Sequence, residues 1–195
     1  MAKKIHKIKG VTLSSASSNT RYGKRDDSLA IAIPSESTLS GKFTTNKLKA
    51  APVVLAAQNL QKLSSGNKIL LVNAGNANAA NGPSGLKDVK KYCREIASYL
   101  RVKEENIIPF STGVIGEKLP VDEYLVAFKK ALENLNDNGW KKAATAILTT
   151  DTKPKIVSKL IKVGKTSYKV TGFAKGSGMI RPDFATLLSF VFIDG

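Results

Sequence analysis

Histidine and cysteine each occur once in the 195 residues, as His6 and Cys93. A lone cysteine excludes an internal disulfide framework and suits a reducing compartment. Neither a Cys–His pair nor a Ser–His–Asp triad can be built from such parts. No His/Cys cluster has metal-ligand spacing either, so no metal is expected. There is no run of eighteen apolar residues, which excludes a transmembrane helix. The basic start, Met1 to Lys9, lacks the apolar segment of a signal peptide. The expected location is the cytoplasm, with no membrane partner.

Acidic residues are also scarce: 15 against 31 lysines and arginines, a net charge of +16. The excess is lysine, with only Arg21, Arg25, Arg94, Arg101 and Arg181 beside it. Base readout and stacking require clustered arginines and aromatics, and neither is clustered here. The lysines fall singly or in pairs, as on a solvated surface. Specific nucleic-acid binding is therefore not expected, whereas a small acidic substrate fits the same sign.

What is present reads as one α/β domain over residues 1–195, long enough to bury a sizeable core. Residues 1–28 are polar and basic, with Ser14–Asn19 as a loop. Leu29–Ile33 is a short strand, and Ala51–Leu60 a helix with Pro52 in its first turn. Ile69–Val72 is a central strand, apolar on both faces. Asn73 to Gly82 then reads as a small-residue loop rich in hydrogen-bonding groups. From Pro83 to Val102, Leu86, Val89, Cys93, Ile96 and Leu100 recur at helical spacing, which makes Cys93 a core residue rather than a nucleophile. Pro120 opens a second amphipathic helix, with Gly139 just beyond its end. Ala143–Leu148 is an apolar run of uncertain type. Lys159–Val163, Tyr168–Phe173 and Thr186–Ile193 predict a sheet meander.

Two short stretches carry chemistry. In Ser111-Thr112-Gly113 a hydroxyl adjoins a glycine amide, an arrangement that can offer two donors to a developing oxyanion. Near the end, Lys175-Gly176-Ser177-Gly178 leads through Pro182 to Ala185-Thr186 at the mouth of an apolar strand. It is no phosphate-binding loop, since it lacks the Lys-Ser/Thr ending. A threonine held there suits a nucleophile, although a strand-opening threonine is more commonly structural.

Taken together, separated blocks resemble one family. They are Phe43-Thr44-Thr45-Asn46-Lys47-Leu48-Lys49-Ala50-Ala51-Pro52-Val53, Asn73-Ala74-Gly75-Asn76-Ala77-Asn78-Ala79, Ser111 through Glu117, Ala146 through Thr152, and Lys175 through Leu188. In this order they are similar to the signature segments of the glutamate N-acetyltransferase/ornithine acetyltransferase family of arginine biosynthesis. The resemblance implies the fold of that family's α subunit, mixed sheets packed with helices. It implies a precursor that cleaves itself at Ala185-Thr186 into α and β chains that stay associated, with likeness to an α chain over 1–185 and to a first β-chain strand over 186–195. Thr186 would be the nucleophile, Thr112 and Gly113 the oxyanion donors, and Lys175 with Thr149, Thr150 and Thr186 the substrate-binding residues. Lys175 could pair with a substrate carboxylate or depress the pKa of the Thr186 amine.

The implied reaction moves acetyl from N-acetylornithine to glutamate through a Thr186 ester, without a cofactor and with acetyl-CoA as an optional co-substrate. The implied partners are the two substrates and the chain's own β chain, in an αβ heterodimer that assembles into a higher homo-oligomer. Asp183 stands where the family often has Asn, and Phe184 and Leu187 where it often has Met. Family precursors are about twice as long, so the C-terminal half is expected to be missing here. The alternatives are an inactive truncated fragment, a threonine amidohydrolase or aminopeptidase of the same superfamily, and a basic nucleic-acid-binding module.

Overall fold

The computed structural model describes residues 4–178 and 187–194. Two sheets and four α-helices make up its architecture, as the α/β reading requires. The first sheet has the order β1–β2–β3–β4, with β1 (Thr12–Ala16), β2 (Ser28–Ile33), β3 (Lys68–Asn76) and β4 (Ile107–Val114). Its first two pairings are antiparallel and β3–β4 is parallel. The parallel step needs a long crossover, supplied by helix α2 (Gly82–Leu100). The second sheet is the antiparallel meander β5–β6–β7, with β5 (Lys155–Val163), β6 (Thr166–Lys175) and β7 (Leu188–Asp194).

Side-chain alternation assigns each face of the first sheet its own core. Ala30, Ile69, Leu71 and Ile107 point toward α1 (Ala51–Gln61), α2 and α3 (Val121–Glu133), where they meet Leu55, Cys93, Ile96 and Phe128. Leu29, Ile31, Leu70, Val72 and Ile108 point the other way, toward α4 (Trp140–Ala146) and the inner face of the second sheet. There Phe173, Phe190 and Phe192 form an aromatic layer. Phe110 meets Phe190 edge-on with centroids 5.1 Å apart, and Trp140 meets Phe192 at 5.3 Å. The order of layers is thus helices, mixed sheet, then α4 with the antiparallel sheet. β3 is buried at every position, as its unbroken apolar run implies.

Several local expectations need correction. Ser14–Ala16 is not loop but part of β1, because Ala16 and the fully buried Leu13 find core partners in α3 and α4 that local polarity hides. Asn73–Asn76 continues β3, with an irregular register at Gly75 and Asn76 that follows from the left-handed φ of +111° at Gly75. Ser111-Thr112-Gly113 lies within β4. Ala143–Leu148 resolves mainly into α4, and Gly139 caps the start of that helix rather than following the end of α3. The basic segment around His6 is tied to the second sheet. The His6 backbone N–H donates to Ser158 Oγ and its carbonyl accepts from Thr171. Cys93 is fully buried on the apolar face of α2, as expected, and burial pushes its thiol pKa well up. Among the described residues no helix is long and apolar enough to cross a membrane.

The outer face of the second sheet is apolar and uncovered. Val157, Ile161, Val191 and Ile193 are between 43% and 64% exposed, and the register brings Val157, Gly172 and Val191 side by side. The two faces of β7 therefore have different roles. Truncating Phe190 to Ala should cost roughly 3–5 kcal/mol, since a buried aromatic leaves a cavity. Val191→Ser next to it should stay within about 0.5 kcal/mol in the isolated chain. Urea denaturation of the two variants against the parent checks both.

Candidate active site

The ends of β4 and β6 converge at one buried contact. Lys175 closes β6 and Thr112 stands near the end of β4. The Lys175 ammonium donates to Thr112 Oγ1 at 2.8 Å, with Lys175 2% and Thr112 5% exposed. A buried cation is costly unless polar groups meet it. Here burial lowers the Lys175 pKa, opposed by Asp151, while Lys155 lowers it further. Thr112 accepts this charge-assisted bond, so its own O–H is polarised and becomes a stronger donor to any third atom.

Beside Thr112, Gly113 takes φ +136°, and a Cβ there would lie 2.2 Å from the Gly75 carbonyl carbon and 2.5 Å from Asn76 N. Only glycine lets β4 approach β3 this closely. Thr112 and Gly113 line a cavity of about 370 Å³ together with Phe43, Pro52, Ala77 and Phe190, and Leu187 and Leu188 also reach its wall. That volume suits a small ligand. Lys175 is the cross-strand partner of Leu188, so the contact and the cavity share one hairpin, whose connecting segment spans 176–187. Ala185 and Thr186 lie outside the described residues.

Thr149 and Thr150 sit before β5. Thr150 Oγ1 is 3.2 Å from the Ser177 carbonyl, to which it donates, and 3.1 Å from Ser177 Oγ. Its hydroxyl engages the segment that follows Lys175. Thr149 is half-buried.

A family model described as the ArgJ family matches residues 12–195. The chain belongs to the ArgJ family. Two similar proteins are both named arginine biosynthesis bifunctional protein ArgJ. That of Colwellia psychrerythraea is 42% identical over 96% of this chain and 46% of its own length. That of Methylococcus capsulatus is also 42% identical, over 96% and 45%. The chain thus spans a little under half the length of the curated relatives it matches. Among solved structures, an ArgJ chain from Bacillus halodurans matches with a TM-score of 0.76 at 32% identity, over 89% of this chain and 90% of that one. The ornithine acetyltransferase of Mycobacterium tuberculosis, solved with ornithine, matches with a TM-score of 0.75 at 26% identity, over 93% and 94%.

The asparagines that frame this candidate site were legible as a loop with hydrogen-bonding capacity and as one block of the family resemblance, not as the contacts they make. Asn73 Nδ2 donates to the Asn76 carbonyl at 2.7 Å, and Ser111 Oγ donates to Asn73 Oδ1 at 2.5 Å, which locks β3 to β4 one residue before Thr112. Asn76 Nδ2 reaches the carbonyls of Glu117 and Lys118 at 3.1 Å. Their signal in the sequence is the recurrence of asparagine in an otherwise small-residue stretch. Asp151, described below, was not singled out at all.

The burial of Lys175 has a measurable sign. Its folded-state pKa lies below the unfolded value, so between the two the unfolded chain holds more protons and unfolding free energy rises with pH. Relative to Lys175→Met, the parent chain should gain stability as pH climbs through that window below the usual lysine range. Urea midpoints of both proteins, measured across it, should diverge less at the alkaline end.

Proposed function

We propose that this chain carries the α-chain machinery of an autoproteolytic acetyltransferase, with Thr186 as nucleophile. The observation that supports this most is the bond from the Lys175 ammonium to Thr112 Oγ1, at a cavity that Gly113 and Leu187 also line. Leu187 directly follows Thr186 in the chain, so a reactive Thr186 and polarised donors would share that cavity. In this reading Thr112 Oγ1–H and the Gly113 N–H bind the oxyanion. Thr186 and Lys175 take the amino-acid substrate, with Thr149 and Thr150 beside them.

The first reaction is intramolecular. Thr186 Oγ gives up its proton and attacks the Ala185 carbonyl carbon, the C–N bond breaks, and the nitrogen leaves protonated as the Thr186 amine. Water hydrolyses the resulting ester to the Ala185 carboxylate and the Thr186 hydroxyl. Residues 1–185 become the α chain, and the β chain begins at Thr186. An α-amine titrates near ~7.7–8.0 in model peptides, which suits a general base at neutral pH and replaces the missing histidine. Thr186 Oγ then attacks the acetyl carbonyl of N-acetylornithine, and ornithine departs with the proton that Thr186 lost. The amine of glutamate attacks the acetyl-Thr186 ester and regenerates the hydroxyl. No cofactor enters these steps, and acetyl-CoA would serve as an additional donor through the same ester. The cytoplasm suits a reaction on such metabolites.

The solved relatives support a division of the chain: this sequence covers about nine-tenths of each solved chain but under half of the full-length relatives. The apolar outer face that β5 and β6 present beside β7 then seats the rest of the chain's own β chain. A glutamate at Val157 on β5, exposed in the isolated chain, should leave the α chain folded yet weaken its retention of the β chain, measured by co-purification after cleavage. Equal retention by Val157→Glu and the parent would move the interface elsewhere.

Intact mass of the full-length polypeptide tests the nucleophile. Two products divided at Ala185/Thr186 are expected from the parent and none from Thr186→Ala. Thr112→Ala should slow cleavage about a hundred- to thousandfold, the usual loss for one oxyanion donor. A single uncut species from a folded parent would overturn the mechanism.

A further inference from the structure

One acidic side chain outside this set holds the hairpin in place. Asp151 follows Thr150 in the turn between α4 and β5, and its side chain is fully buried. Its Oδ1 accepts the Gly176 N–H at 2.9 Å and pairs with the Lys155 ammonium. Its Oδ2 is buried without a hydrogen-bond partner among the described residues. Burial pushes the Asp151 pKa up, but the Lys155 bond, the Gly176 amide and the charges of Lys155 and Lys175 outweigh that and hold it below the usual value. The carboxylate is therefore ionised at neutral pH.

Gly176 is where the two ends of the connecting segment meet. It follows Lys175, and a Cβ on it would lie 3.3 Å from Leu187 Cδ1 and 3.8 Å from Leu187 Cα. Gly176, whose N–H Asp151 holds, thus lies close beside the residue directly after Thr186. Thr150 adds a second hold one residue further, on Ser177. Lys175 meanwhile is a buried ammonium, and such a charge persists only with a counter-charge nearby. Among the described residues, the ionised groups that face it are Asp151 and Lys155, on the turn and on β5.

We infer that Asp151 is a positioning residue for the Thr186 chemistry. Its carboxylate anchors the Gly176 peptide, at the start of the segment that carries Ala185-Thr186, and it adds negative charge that favours the Lys175 ammonium on Thr112. This rests on the autoproteolytic reading above. In this role Asp151 acts through the Gly176 peptide and Lys175 rather than on the reacting bond itself. Lys155 acts in the opposite sense: its exposed ammonium draws on the same carboxylate and repels Lys175.

The test follows self-cleavage of the full-length polypeptide across the alkaline range, for the parent, Asp151→Asn and Lys155→Gln. Asparagine keeps an acceptor for the Gly176 N–H and removes only the charge. Cleavage by Asp151→Asn should slow on the order of tenfold, the usual scale for losing one charge-assisted interaction. Its alkaline limb should also move to lower pH, because Lys175 loses the group that favours its charged form. Lys155→Gln, altered at a half-exposed side chain, should move the limb to higher pH. A role in folding alone would lower the rate and leave both limbs where the parent has them, and that result overturns the inference. If Asp151→Asn does not fold, the Lys155→Gln limb decides by itself. A folded parent that never cleaves would instead refute the nucleophile, so the two failures are distinguishable.

Discussion

A lysine that has almost no contact with water ties the two sheets together. Lys175 ends β6 of the antiparallel sheet and bonds Thr112 on β4 of the mixed sheet. Burying an ammonium is one of the less favourable acts a fold performs, and here Thr112 accepts from it while the well-filled apolar layers on either side supply the compensating stability. The aromatic layer of Phe173, Phe190 and Phe192 presses the second sheet onto the first within a few residues of Lys175. Without that layer the lysine would swing to solvent, as lysines normally do. The stability of the core is thus what holds the charge at the site.

The same dependence fixes the approach of β3 and β4. Gly113 meets the Gly75 peptide at a distance no side chain permits. Ser111, Asn73 and Asn76 close hydrogen bonds around that crossing, so the backbone next to Thr112 has little freedom. A donor pair for a developing charge must be in place before the charge appears. Rigid strands under a buried amide network meet that need better than a mobile loop. In the proposed reading, the Ser-Thr-Gly stretch gains from standing within a strand rather than after one.

Much of this was legible in the residues, and what was not has a physical pattern. Helix α2 was visible because Leu86, Val89, Cys93 and Ile96 repeat at helical spacing, while its end was set by Arg101 in a left-handed conformation that spacing does not encode. The β5–β6–β7 meander was visible from alternation and glycine turns. Strand β1 was hidden, since Thr12-Leu13-Ser14-Ser15 looks like a loop until Leu13 finds its core partners. At the site, Thr112, Gly113 and Lys175 entered through resemblance to a family, and the structure brings Lys175 and Thr112 together. Asp151 stayed out of sight because its partner is a backbone amide twenty-five residues away, and no local pattern announces such a bond.

The chain's charge finally separates into two kinds of lysine. Most of the excess behind +16 lies on exposed side chains, where ion pairs such as Lys7–Asp137 and Lys91–Asp122 are wet on both sides and contribute little. These charges set solubility and attract anions in general. Lys175 differs in that it is desolvated, so its field is little screened where it meets the Thr112 hydroxyl. Total charge is therefore a poor guide to chemistry in this fold. The informative quantity is what a desolvated charge has beside it: among the described residues, the Thr112 hydroxyl that it polarises, the Asp151 carboxylate that favours it and the Lys155 ammonium that opposes it. A change of charge at either of the last two acts on Lys175 through little solvent, whereas surface lysines could be neutralised with no such effect.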